Sequence, residues 1–212
     1  MGFSLLILVA TIATAVAFPI NNQEYLVMPH GSPTGSGDCV TWRWAVETNN
    51  IKDFSNAFPD QCIDYIDSYM LGSQYRQDFK LVCDVAYEYA QGLNLTGDGK
   101  DLWVFDVDDT TLSCLPYFLE QGSWELNVHS SYAQWTAKGG LLVIPEALDL
   151  YNKLIKGDEL VHSAEFKSSK RKELEEAGYK IWGNIGDQWT DITGTNIGDR
   201  AFKLPNPVYY VP

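Results

Sequence analysis

Four aspartates are the residues of this chain best suited to chemistry, two in Asp106-Val-Asp108-Asp109-Thr110 and two in Gly186-Asp187-Gln-Trp-Thr-Asp191. The first pair closes an apolar run, Leu102-Trp-Val-Phe105. Four bulky residues in a row fit a strand covered on both faces, as in a parallel sheet. Asp106 and Asp108 would share a face of a continuing strand but sit apart along it, and ending the strand there lets both serve one site. The second pair follows Tyr179-Lys-Ile-Trp-Gly-Asn-Ile185, which also reads as a strand. If the two strands are parallel neighbours, their carboxyl ends coincide, which is where open α/β sheets bind ligands. Carboxylates that close cannot all stay ionised without a cation. Oxygen-only donors suit Mg2+, which keeps several waters and takes one or two carboxylates plus a phosphate oxygen.

The elements that must position these acids are legible as an alternation of helices and strands. From Gln74 to Gln91 the apolar residues Phe79, Val82, Cys83, Ala86, Tyr87 and Ala90 recur at three and four, an amphipathic helix that Gly92 can end. The loop Thr96 to Asp101 leads into the first acidic strand. Pro145 suits a helix start, with Leu148, Tyr151, Leu154 and Ile155 as its apolar face as far as Gly157. A second helix spans about Ser168 to Ala177, with Gly178 as its stop. Two acid-terminated strands with helices between them predict a parallel α/β sheet with an N-terminal helical region. The ending Lys203-Leu-Pro-Asn-Pro-Val-Tyr-Tyr-Val-Pro212 is too rich in proline for a helix and predicts an extended strap.

Bulk properties narrow the partners. Residues 1–17 carry no charged side chain, contain the run Leu5 to Ala10, and end in Ala15-Val-Ala17, which predicts a secretory signal peptide despite the absence of a basic start. An extended Gly/Pro/Ser-rich arm is expected over 18–38 and one domain over 39–212. With 15 basic and 28 acidic residues the net charge is −13, which opposes nucleic acid and anionic membranes as partners. Phosphate-bearing substrates would need a metal. Of the four cysteines, a disulfide between Cys39 and Cys62 is favoured, and Cys114 reads as a small buried hydrophobe. Asn94-Leu-Thr96 is the only N-glycosylation sequon and predicts a surface loop in the secretory pathway, hence an extracellular or vacuolar protein. His30, His129 and His162 are scattered surface candidates, there is no Gly-x-Ser-x-Gly elbow, and an EF-hand over 106–117 fails because Thr111 stands where Gly is required.

These motifs, with Lys167-Ser-Ser-Lys-Arg171 between them, resemble the haloacid-dehalogenase-like phosphatases. More narrowly, Trp42-Arg-Trp-Ala-Val-Glu47-Thr-Asn-Asn50, Leu115-Pro-Tyr117, Gly178-Tyr179 and the ending Phe202 to Pro212 resemble the plant acid phosphatases and vegetative storage proteins, class B-like members of that superfamily. The resemblance implies a Rossmann-like parallel sheet and a Mg2+-dependent phosphatase acting on small phosphomonoesters. Asp106 would be the nucleophile and Asp108 the general acid and base. Asp106, the Asp108 main chain and Asp187 would hold Mg2+, with Asp191 supporting that shell and Lys167 offsetting its charge. Thr110 is a candidate substrate-binding hydroxyl. A homo-oligomer is compatible with this reading.

One departure stands out. The family places a strand ending in Thr or Ser, then more sheet and helix, between the helix after Pro145 and the lysine. Here only Gly157 to Phe166 separate Lys156 from Lys167, fewer residues than the roughly dozen a parallel crossover needs. The expectation is a truncated sheet with a plain linker over 157–166; the alternative is a short strand at Leu160-Val-His-Ser163 with Ser163 as phosphate ligand. Loss of neighbouring strands would expose an apolar edge beside Asp106. It also opens a second function, a storage protein on a phosphatase scaffold with little turnover. Plainer readings exist for each acid: a turn after a strand for Asp106 and Asp108, a solvated turn and helix cap for Asp187 and Asp191, and a solvated basic helix start for Lys167, Lys170, Arg171 and Lys172.

Overall fold

The computed structural model describes residues 4–8, 37–52, 59–122, 124, 131–154, 160–163 and 167–211, with backbone alone for 4–8 and 160–163. In chain order the elements are β1 (Ser4–Leu8), α1 (Gly37–Glu47), a short 3-10 turn (Asp60–Cys62), α2 (Ile63–Met70), α3 (Ser73–Gln91), β2 (Asp101–Phe105), β3 (Leu112–Ser113), α4 (Leu115–Gln121) and α5 (Ser131–Thr136). There follow β4 (Leu142–Val143), α6 (Pro145–Leu154), β5 (Leu160–Ser163), α7 (Lys167–Glu176), β6 (Lys180–Gly186), α8 (Trp189–Ile192) and β7 (Arg200–Lys203). The signal-cleavage region, most of the expected arm, His30 and His129 lie outside the described residues. The arm's last two residues, Gly37 and Asp38, already belong to α1.

A parallel sheet ordered β5-β1-β2-β6-β7 forms the centre, and β3 pairs antiparallel with β4 in a small separate ribbon. All five β2 residues are buried. Trp103 and Phe105 pack into the main core with Phe79, Leu150 and Phe202, while Leu102 and Val104 pack on the other face with Ile181, Leu174 and Tyr179. That two-sided cover is why the strand reads as an unbroken apolar run rather than an alternating one. On α3 the buried stripe is Tyr75, Phe79, Cys83, Ala86 and Ala90, one side of a helix laid on the sheet. The buried face of α6 is Ala147, Leu150 and Leu154. Of the expected face, Leu154 is buried, Tyr151 packs against the core beside Phe105 and Leu148 is half-buried, while Ile155 lies outside the described residues.

Two strands stand where the sequence suggested otherwise. Ser4–Leu8, inside the expected signal peptide, runs parallel to β2 with Ser4 opposite Leu102 and Ile7 opposite Phe105. It covers the edge of β2 on the side away from β6. Leu160–Ser163 is a strand, the alternative to the expected linker, but it pairs with β1 and not with β2. Short apolar runs fit leader, linker or strand equally well, and only pairing partners decide between them. A disulfide joins Cys39 to Cys62 (S–S 2.05 Å), tying α1 to the turn before α2. Cys114 is buried, its sulfur 2.8 Å from the Tyr132 hydroxyl. Asn94 lies exposed in the loop after α3.

Candidate active site

The site forms where β2 and β6 end side by side. Asp106 is the first residue past β2, and its N–H donates to the Ile185 carbonyl at 3.0 Å, so the β2–β6 ladder fixes its backbone. The chain then turns sharply: Thr111 and Leu112 N–H both donate to the Val107 carbonyl at 2.9 Å, and Asp109 takes a positive φ of 51°. That conformation is uncommon for a residue other than glycine, though Asp tolerates it better than most. Asp109 is held there by the Cys114 N–H on Oδ1 (2.7 Å) and the Tyr209 hydroxyl on Oδ2 (3.0 Å).

At the end of β6, Asp187 leads into α8, whose third residue is Asp191. Asp191 Oδ2 accepts the Gln188 N–H at 2.8 Å, closing the first turn of the helix. Gly186 is required here, because a Cβ at that position would overlap the Asp191 side chain. Each of Asp106, Asp187 and Asp191 offers a carboxylate oxygen within 4.8 Å of the others, and all three are buried. Lys167, opening α7, donates to Asp106 Oδ1 at 2.6 Å and also to Asp191 Oδ1.

Electrostatics follow from this crowding. Burial, then the Asp191 charge, pushes the Asp106 carboxyl well above the usual carboxylate range, with Lys167 pulling the other way. Burial and Asp187 raise Asp191 to about 6. Burial and Asp187 likewise raise Asp109 to about 7. Burial alone would lower the Lys167 ammonium, but Asp106 and Asp191 outweigh it and hold it above its ordinary value. Among the described residues, three buried carboxylates face one another against one ammonium, so that with all three ionised the group carries excess negative charge. An all-oxygen donor set of this kind fits a hard divalent cation.

The expected site residues divide. Asp106, Asp187, Asp191 and Lys167 come together. Asp108 sits half-buried on the turn, outside the group of three carboxylates. Thr110, expected to face substrate, is fully buried: its hydroxyl accepts the Asp187 N–H and donates to Asp187 Oδ1, both at 3.1 Å, so it orients Asp187 instead. Ser163 lies two strands from β2, so its backbone is about 10 Å from that strand; its side chain and that of His162 are outside the described ones.

Arg171 is no solvated helix residue. It is 1% exposed, and it donates to the Asp191 and Thr193 carbonyls at 2.8 and 2.9 Å, holding the end of α8. Its place one helical turn after Lys167 was the available signal, since both then face α8. Gln188, Asn206 and Tyr209 also reach the site and were not singled out. Asn206 donates to Asp187 Oδ2 at 2.7 Å and Gln188 to the same oxygen at 2.8 Å.

The sequence matches the family described as HAD superfamily, subfamily IIIB (Acid phosphatase), over residues 23–162 and 156–212. The two matched stretches overlap at residues 156–162. Among curated relatives, Acid phosphatase 1 of Solanum lycopersicum is 33% identical over 214 residues, covering 82% of this chain and 83% of the relative. Vegetative storage protein 2 of Arabidopsis thaliana is 38% identical over 216 residues, covering 82% and 81%. The Stem 28 kDa glycoprotein of Glycine max is 33% identical over 224 residues, covering 86% and 87%. Among the described residues, no helix is long and apolar enough to cross a membrane. With this sheet, these acids and these relatives, the chain belongs to the acid phosphatase subfamily IIIB of the HAD superfamily.

Proposed function

We propose that the chain is an acid phosphatase that hydrolyses small phosphomonoesters through an aspartyl-phosphate on Asp106. The observation that carries the reading is the buried Asp106 carboxylate at the carboxyl end of β2, bonded to Lys167 and grouped with Asp187 and Asp191. In the first half-reaction an Asp106 oxygen attacks phosphorus in line, and the bond from phosphorus to the leaving alcohol breaks while Asp108 gives that oxygen its proton. In the second, Asp108 takes a proton from water as the water oxygen attacks phosphorus, and Asp106 leaves as a carboxylate.

Lys167 keeps Asp106 oriented and offsets local negative charge. Asp106, Asp187 and Asp191, with the Asp108 main chain, are the residues that would hold Mg2+, which when bound supplies charge neutralisation at the phosphoryl oxygens. The Asn94 sequon, exposed in the loop after α3, supports passage through the secretory pathway. Asp106→Asn should abolish phosphate release from a generic phosphomonoester at acid pH; turnover surviving it would refute the mechanism.

A second reading, a storage protein on this scaffold, is favoured by one observation. The strand beside β2 on the side away from β6 is Ser4–Leu8, drawn from the N-terminal run rather than from a segment ending in a phosphate-binding hydroxyl. It predicts abundant protein with negligible turnover, and a rate equal to that of an ordinary phosphatase would exclude it.

A further inference from the structure

We propose that the C-terminal strap, residues 204–211, is part of the cation site, with Asn206 acting as a positioning residue for Asp187. The inference rests on the cation reading of the aspartate cluster and extends it to a segment far from both motifs. The strap leaves β7 beside the end of β6, where the Leu204 N–H donates to the Gly186 carbonyl at 2.9 Å. Leu204, Val208 and Tyr209 are buried in the main core. Packing alone would need no more than these apolar side chains, yet the polar groups of the strap converge on the site.

Asn206 is the centre of this convergence. Its amide nitrogen donates to Asp187 Oδ2 at 2.7 Å, while its Oδ1 accepts the Val208 N–H at 3.0 Å. Gln188 gives Asp187 Oδ2 a second donor at 2.8 Å and is itself held by the Val211 N–H on its Oε1 at 3.1 Å. Both lone-pair sites of Oδ2 are thereby occupied. Oδ1, with one bond from Thr110, keeps a lone pair for a cation. The amides thus decide which oxygen of Asp187 is offered.

The strap is also fixed at its far side. Glu47 of α1 accepts the Asn206 N–H at 3.3 Å and the Lys203 ammonium at 3.2 Å. Tyr209, kept protonated by burial and by the nearby Asp109 charge, donates to Asp109 on the turn that carries Asp108. Glu47 of α1 thus anchors the backbone of the residue whose side chain holds Asp187. Partners of metal ligands of this kind set the orientation of the ligand, and their loss typically costs 10–100-fold in metal affinity or activity.

The test is calorimetric titration of the full chain with Mg2+ alone, at a temperature where near-ultraviolet circular dichroism shows each protein folded. Asn206→Ala and Asn206→Ser should both bind Mg2+ about 10–100-fold more weakly than wild type. Asn206→Ser guards against simple misfolding, because its hydroxyl can still take the Val208 N–H two residues on but is too short to reach Asp187. Folded variants that bind Mg2+ with wild-type affinity would overturn the strap's role, leaving it a packing element. Failure of the wild-type chain to bind Mg2+ would instead overturn the cation reading on which the inference rests.

Discussion

Replacing Lys167 with methionine removes the one ammonium that, among the described residues, bonds the aspartate cluster, while keeping most of the side chain's length. Lys167 bonds Asp106 and Asp191, whose side chains are 7% and 1% exposed, and is itself 22% exposed. Removing one partner of a buried ion pair costs about 3–5 kcal/mol, because the other charge is left without compensation. For a chain of this size that corresponds to a fall in Tm of roughly 10 °C. The loss should depend on pH with a definite sign. Asp191 has a folded pKa of about 6, above its ordinary value, so the stability linked to its protonated form is complete at acid pH and is lost as pH rises through 6. Lys167 opposes that rise, and without it the shift grows. Lys167→Met should therefore be close to wild type in Tm near pH 4 and clearly destabilised near pH 7, measured by thermal unfolding in metal-free buffer. An equal destabilisation at both pH values, or none, would refute the claim that the lysine balances ionised buried carboxylates.

Two further outcomes follow from the same geometry. Mg2+ should raise the Tm of the wild-type protein near pH 7, by an amount equivalent to about 2.7 kcal/mol at a hundredfold excess over Kd. The increment should shrink toward pH 4 as Asp191, raised to about 6, takes up protons; an increment independent of pH would contradict carboxylate ligation. A chain beginning at Phe18 lacks β1 and should be less stable than the chain of residues 1–212, by on the order of 1 kcal/mol per lost ladder hydrogen bond. It should also scatter more light on standing, since the edge of β2 is then uncovered. Equal stability of the two would deny β1 a part in the sheet.

The centre of the fold was legible because its signals are local. Leu102 to Phe105 read as a strand buried on both faces, and the two motifs end neighbouring strands, so Asp106, Asp187 and Asp191 had to converge once β2 and β6 paired. What was not legible depends on contacts between distant segments with no periodicity. The bond from Asn206 to Asp187 belongs to a proline-rich tail whose only local message is extension, and the bond from Tyr209 to Asp109 spans a hundred residues. Arg171 looked like one of several exposed basic residues, and only the carbonyls at the end of α8 show why it is buried. β1 was hidden for a different reason: an apolar run of that length satisfies a leader and a strand alike.

The central claim, a phosphatase that works through Asp106, is tested most directly by mass analysis of the protein quenched in acid during turnover of a small phosphomonoester. The account predicts a single phosphoryl adduct on the peptide containing Asp106, absent in Asp106→Asn together with phosphate release. Phosphate release that persists in Asp106→Asn, with no adduct on that peptide in the wild type, would contradict it.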